Sequence, residues 1–185
     1  MVIKFLFQPP GALLQVGVKP FFLLREIIMG YKFEIMTQEQ AEEIAFNWHY
    51  DAEYSFYDMV ADKEDLVEFL DPQKRGESNF IVTKDNDIIG FFSFTKVAIN
   101  TIDIGLGLRP NLVGKGNGMR FLKAGIDFAE SKYKPQKITL SVATFNHRAI
   151  KVYRRIGFEE VDTYMQDTNG DSFEFLKMVY QCKIR

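Results

Sequence analysis

The sequence predicts an α/β fold: one domain with a mixed, mostly antiparallel central sheet flanked by helices. Three observations carry that expectation. Short strand-like runs bounded by turn residues recur at 79–83, 88–97, 101–108, 137–143, 158–166 and 173–180. Apolar residues at helical spacing, such as Met119, Leu122, Ile126 and Ala129, stand between some of these runs. No repeat, low-complexity tract or linker interrupts the chain after Met29.

Each element has a local reason. Residues 33–36 read as a short strand. Thr37 caps the next helix, with Gln40 three residues on as its capping-box partner, and the helix runs to about residue 47. Residues 63–70 read as a second helix, stopped by Asp71-Pro72. The strands 79–83 and 88–97 form a hairpin around Lys84-Asp85-Asn86-Asp87. A third strand occupies 101–108, then a helix from about 116 to 131, then a strand at 137–143. Asn146 is a good N-cap for a helix that carries Ala149, Ile150, Tyr153 and Ile156 and ends at Gly157. The strands 158–166 and 173–180 close the chain around the turn Asp167-Thr168-Asn169-Gly170. The order is β-α-α-β-β-β-α-β-α-β-β.

The first 28 residues read differently. They are apolar but broken by Pro9, Pro10, Gly11 and Pro20, and no uninterrupted run reaches the roughly 18–20 residues that span a bilayer. Lys4 and Phe5-Leu6-Phe7 imitate the start of a signal peptide, but the prolines interrupt its core. Met29-Gly30 leads at once into strand-like sequence. Residues 1–28 are therefore expected to be an extension, a start-site artefact, with the domain at 29–185. The alternative is a native arm that packs on the domain.

Composition narrows the class. A chain of 185 residues, 46% hydrophobic and 26% charged, fits one soluble globular domain, expected in the cytoplasm with no membrane partner. A single cysteine, Cys182, excludes an internal disulfide, and two histidines argue against a metal centre. The net charge of −2 hides an uneven distribution. Residues 109–155 hold 11 Lys/Arg and two acids, whereas 38–78 hold 12 acids and three Lys/Arg. The basic stretch suits an anionic ligand and the acidic stretch a cationic substrate; a solvated helix face is the alternative for either, and for the acidic run it is as good a reading. No nucleic-acid motif accompanies the basic run, and the pI of about 5.8 makes nucleic acid an unexpected partner.

The basic run surrounds Val113-Gly114-Lys115-Gly116-Asn117-Gly118-Met119. Glycines admit unusual backbone angles and close approach of a ligand, and a helix start offers unpaired N–H groups and the positive dipole end. Together they fit a phosphate-bearing ligand. The G-x-G-x-x-G dinucleotide pattern fails from Gly105, Gly114 and Gly116, and the P-loop pattern fails because Arg109 and Gly116 hold its outer positions. The competing reading is a glycine-rich turn that starts a helix.

With this element order, the motifs resemble the GNAT superfamily of acyl-CoA-dependent N-acetyltransferases over about residues 33–180. The turn at 113–118 resembles the family's Q/R-x-x-G-x-G/A pyrophosphate loop, with Val113 where Gln or Arg is usual. Ile104-Gly105-Leu106-Gly107-Leu108 resembles the strand before that loop. Residues 146–158 resemble the N-x-x-A-x-x-x-Y-x-x-x-G-F block. The resemblance implies acetyl-CoA as cofactor. Its pyrophosphate would sit on the amides of Gly114, Lys115, Gly116 and Gly118, with Val113, Asn117 and Met119 also on the cofactor. Lys115, Arg120, Arg148 and Lys151 are candidates for the outer phosphates. Its pantetheine arm would pair with Leu106, Gly107 and Leu108, beside Asn146, which also serves as a helix cap. Tyr153 matches the family's general acid; otherwise it is a core tyrosine. A backbone N–H near Leu106 or Leu108 would stabilise the oxyanion.

By the same resemblance Asp103, at the start of that strand, is the expected base, with His49, Asp51 and Glu53 as rivals; otherwise it is a solvated residue at a strand start. The acceptor is expected at Trp48, Tyr50, Asp51, Glu53, Tyr54 and Tyr57, where aromatics and acids interleave between two helices. Such a site suits a primary amine of a small molecule or peptide; aromatic packing beneath a loop is the alternative. The implied activity is acetyl transfer to that amine in a ternary complex, by a monomer or homodimer. A non-catalytic acyl-CoA sensor is the other reading of the same motifs.

Overall fold

The computed structural model describes residues 26–28 and 30–183. Eight strands form one sheet: β1 (Glu26–Ile28), β2 (Tyr31–Ile35), β3 (Asn79–Lys84), β4 (Asp87–Ala98), β5 (Thr101–Leu108), β6 (Lys137–Ala143), β7 (Glu159–Thr168) and β8 (Asp171–Gln181). Their order across the sheet is β1-β2-β3-β4-β5-β6-β8-β7. Only β5 and β6 pair in parallel; the remaining neighbours are antiparallel, so the sheet is of the expected class. The helices are α1 (Gln38–Asn47), α2 (Lys63–Leu70), α3 (Pro72–Arg75), α4 (Gly118–Tyr133) and α5 (His147–Ile156). Most of the segment expected as an extension lies outside the described residues, but its last three, β1, pair with Tyr31–Phe33 of β2.

Helix starts obey their caps. Thr37 accepts from Gln40 N while the Gln40 side chain accepts from Thr37 N, a complete capping box. Asn146 Oδ1 accepts from Ala149 N, and Gly157, at φ 110°, ends α5. Two boundaries differ from expectation. Helix α4 begins at Gly118 rather than near 116, because Gly114 and Gly116 stand at φ +78° and +80°, where a right-handed helix cannot run. Pro72 stops α2 but also opens α3: it fills the first helical position, where no N–H is needed, and Asp71 caps the turn.

Strand alternation divides the core. Ile102, Ile104, Leu106 and Leu108 of β5 pack with Phe121, Leu122 and Ile126 of α4 on one face. The opposite face of the sheet meets α1 and α2 through Phe91, Ile81, Ile44 and Trp48. A smaller cluster, built on Tyr50, Tyr57, Ala143 and Phe175, lies under residues 50–57. Gly107 is required by this packing, because a Cβ there would overlap the Phe91 ring, with Cζ only 2.6 Å away.

The sheet is interrupted at one place. β5 and β6 pair over three residues only, Thr101–Asp103 with Lys137–Thr139, and then part. The edge of β5 from Ile104 to Leu108 is left facing a wedge-shaped gap.

Candidate active site

The gap is lined by peptide groups of known direction. Arg109 N–H donates to Ile89 O of β4 at 2.8 Å. Backbone groups alternate sides along an antiparallel strand, so those of Leu108 and Leu106 point away from β4, into the gap. Tyr50 reaches the same edge and donates its hydroxyl proton to Leu108 O at 3.0 Å.

Above the gap lies a cavity of about 300 Å³. Its floor and one wall are Leu108, Val113 and the glycine turn through Gly114, Gly116, Gly118 and Met119. Its other walls are Tyr50, Tyr54 and Tyr57 before α2 and Asn146, Arg148, Ala149, Val152 and Arg155 along α5. Position 116 is open as well as left-handed, since a Cβ there meets nothing within 4 Å. The loop amides are therefore within reach of a ligand, and the start of α4 adds its dipole. Arg148 and Arg155 supply positive charge, and the Arg148 guanidinium stacks on the Tyr54 ring at 3.8 Å.

Two buried phenols stand at this side of the cavity: Tyr57 lines it, and Tyr153, behind the wall, has an Oη with no hydrogen-bond partner. Burial raises the pKa of each, and each phenol's neighbourhood adds to it: Tyr57 for Tyr153, and Tyr54 for Tyr57. The Asn146 amide and the Ala143 backbone act against that rise at Tyr57. An open glycine turn, two arginines and an apolar, aromatic wall fit a ligand with phosphates at one end and an extended arm. Acetyl-CoA has that form.

The structure brings together Leu108, Val113, Gly114, Gly116, Gly118, Met119 and Asn146 with Tyr50, Tyr54 and Tyr57. Tyr153 is fully buried behind that wall rather than on it. Leu106 and Gly107 lie deeper along β5. Lys115 is exposed, and Asn117 turns its side chain back to Leu112 O at 3.1 Å. Arg120 and Lys151 are also exposed and do not line the cavity.

Three residues expected at the acceptor stand elsewhere. Trp48 is buried against Phe91 in the α1 core, because the helix end turns it inward, so it offers no face to a ligand. Asp51 and Glu53 are exposed and do not line the cavity. His49 is exposed and bonded to Asp58, whose other oxygen accepts from Tyr50 N at 2.9 Å. This pair ties the loop to itself.

Asp103 sits where β5 and β6 part, on the sheet face opposite α4. Thr139, its register partner on β6, donates a hydroxyl proton to it. Burial pushes the Asp103 carboxyl up to about 6, against the Thr139 hydrogen bond and the Lys177 charge. Asp103 does not line the cavity.

Sequence reasoning missed Ala149, Val152 and Arg155 as wall residues. With Arg148 they occupy one face of α5 at helical spacing, and projecting that helix from its Asn146 cap would have found them.

Comparison with known proteins agrees with this geometry. A family model described as an acetyltransferase (GNAT) domain matches residues 32–159. Acetyltransferase PseH of Campylobacter jejuni is 29% identical over 133 residues, spanning 70% of this chain and 82% of that protein. A chimera of the Vibrio cholerae spermidine N-acetyltransferase SpeG and hSSAT superposes with a TM-score of 0.68 at 19% identity, covering 82% of this chain and 95% of the other. The Vibrio cholerae spermidine N-acetyltransferase in complex with CoA and spermine gives 0.66 at 17%, again over 82% and 95%. At those identities the structural likeness shows the fold.

Proposed function

Because the chain belongs to the GNAT acetyltransferase family, we propose that it moves an acetyl group from acetyl-CoA to a primary amine of a small molecule or peptide, by direct attack with both reactants bound. One observation carries the reading. The parting of β5 from β6 leaves the peptide edge of Leu106 and Leu108 open, beneath a cavity that ends in a left-handed glycine turn at a helix start.

Acetyl-CoA supplies an activated acyl thioester. The chain supplies the rest. The amides of residues 113–119, with Arg148 and Arg155, hold phosphate. The open edge of β5 holds an extended arm as a neighbouring strand would. The Leu106 N–H faces the gap and stabilises charge that develops on the acyl oxygen. Asp103 accepts the proton of the incoming amine, through water if the reach requires it. Tyr153, kept protonated by burial, gives a proton to the departing thiolate. Holding both reactants at one angle supplies much of the rate.

The acceptor enters beneath residues 50–57, where Tyr50, Tyr54 and Tyr57 present aromatic faces. Asp51 and Glu53 stand outside that wall.

A second reading, acyl-CoA binding without catalysis, is favoured by one fact: Tyr153 has no exposed surface. Release of free CoA thiol, across polyamines, aminoglycosides, amino acids and short peptides, separates the two. Acceptor-dependent release that Tyr153→Phe loses supports the transferase. Acetyl-CoA binding with no release from any acceptor supports the sensor.

A further inference from the structure

The segment between α1 and α2 is mostly exposed, with Asp58 bonding to His49 and Tyr50 N within it. It forms two 3-10 turns, Ala52–Tyr57 and Met59–Ala61, and of these residues only Tyr57 and Met59 are buried. A segment with few buried contacts takes its shape from its anchors. One anchor is on the cofactor side, where Tyr50 meets Leu108 O.

The other anchor lies more than 100 residues away in sequence, at the turn between β7 and β8. Asp62 Oδ2 accepts from Thr168 Oγ1 at 3.0 Å and from Asn169 N at 2.9 Å. Asn169 Nδ2 donates to Phe56 O at 2.9 Å. The Phe56 ring in turn stands edge-on to Phe145 at 5.2 Å and Phe173 at 4.8 Å, over the aromatic cluster below the loop. Asp62 has a second duty, because its Oδ1 caps α2 through Glu64 N and Asp65 N.

A two-residue Asn-Gly turn accounts for the backbone at this tip. Asn169 and Gly170 stand at φ +53° and +78°, the signature of that hairpin turn. It does not account for the Asn169 amide, which an exposed hairpin would leave in water, nor for burial of Thr168 beside a carboxylate from another element.

We infer that the β7–β8 tip is a positioning device for acetyl transfer: Thr168 and Asn169, through Asp62 and Phe56, hold the 51–62 loop in the shape that receives the amine. The inference rests on the proposed entry of the acceptor beneath that loop. It makes Thr168 and Asn169 positioning residues, with no contact to either reactant.

The test uses substitutions that leave other duties intact. Asn169→Gly keeps the left-handed turn and the backbone N–H to Asp62, and removes only the amide bonded to Phe56. Thr168→Val keeps the shape and removes the hydroxyl. Neither touches the Asp62 oxygen that caps α2. In the double variant, KM for the amine is expected to rise about tenfold, the worth of two hydrogen bonds at the lower end of their usual net range. The Kd for acetyl-CoA is expected to stay within about twofold. Thr168→Ser, which retains the hydroxyl, is expected to keep the wild-type KM. Hydrogen exchange is expected to quicken over 51–62 in the double variant and to stay unchanged in β5 and α4. Unchanged exchange in the loop, or equal loosening of amine and acetyl-CoA, overturns the inference. Equal KM rises in Thr168→Ser and Thr168→Val do the same. If the wild type releases no thiol with any amine, the transferase reading fails, and the exchange measurement still decides whether the tip holds the loop.

Discussion

Replacing Tyr153 by phenylalanine should stabilise the protein and slow it, and the two effects have one cause. The Tyr153 hydroxyl is fully buried and has no hydrogen-bond partner. An unpaired buried hydroxyl costs the folded state about 1–3 kcal/mol in lost hydration. Phenylalanine keeps the ring, its contact with Phe158 at 5.9 Å and its place in the core. The substitution therefore removes a cost and opens no cavity. In a domain of this size each kcal/mol moves Tm by roughly 2–4 °C, so Tm should rise by several degrees. If Tyr153 protonates the leaving thiolate, the same change should lower kcat by about 10²–10⁴-fold. The dissociation constant of acetyl-CoA should hardly move. Thermal melting, equilibrium binding and thiol release on one preparation read all three. A lower Tm with unchanged kcat would refute the reasoning, since it would mean that the hydroxyl serves the fold and not the reaction.

Four further outcomes are expected. Burial raises the Asp103 carboxyl to about 6, so the stability carried by its neutral form is complete below about pH 4 and lost as pH rises through 6; Asp103→Asn should therefore gain stability over wild type between pH 5 and 8, by about 2 kcal/mol after allowance for partial solvation. With an alkylamine acceptor, whose own pKa is near 10, log kcat/KM of the wild type should climb with slope 2 below pH 6 and slope 1 above it, while Asp103→Asn keeps slope 1 throughout; a parallel pair of profiles would remove Asp103 from the chemistry. Gly116→Glu should abolish acetyl-CoA binding, because it sets a carboxylate in the phosphate cradle and forces a side chain to φ +80°; binding within tenfold of wild type, measured by titration calorimetry, would show that this turn is not the cradle. Gly107→Ala should destabilise by about 1–3 kcal/mol through overlap with the Phe91 ring, and an unchanged denaturant midpoint would show that the ring has room to move.

The sequence was most legible where a single local interaction decides the structure. Thr37 with Gln40, and Asn146 with Gly157, set helix ends by bonds that span four residues or fewer, and the strand at 101–108 is bounded by turns on both sides. It was less legible where a backbone angle decides. Gly114 and Gly116 are compatible with a helix start or with the left-handed turn that delays it, and only the fold selects between them. The site was legible in its motifs and not in its walls. Trp48 and Tyr50 lie two residues apart in a segment with no period; one enters the α1 core and the other reaches Leu108. The bond from Asn169 to Phe56 joins segments that no local pattern relates.

The run Ile102-Asp103-Ile104-Gly105-Leu106-Gly107-Leu108 shows how one alternation serves fold and site together. In a strand the side chains alternate between faces, and the peptide groups alternate between edges. Here the two alternations are in step. The even residues send aliphatic side chains into the α4 core, where Ile104 and Leu106 have no exposed surface, and send their peptide groups to the gap. The odd residues send their peptide groups to β4, and on the other face they carry a carboxylate and two glycines. The peptide groups that would meet the cofactor thus belong to residues held by the core, and the Tyr50 hydroxyl adds a bond to that of Leu108. The opposite face carries Asp103, where β5 and β6 part, and Gly107, over which the Phe91 ring packs. A slip of one residue in the β4–β5 register would reverse every assignment at once. It would bury Asp103 in the α4 core and turn the gap edge over to glycines, so selection for a stable sheet and selection for a working gap favour the same register.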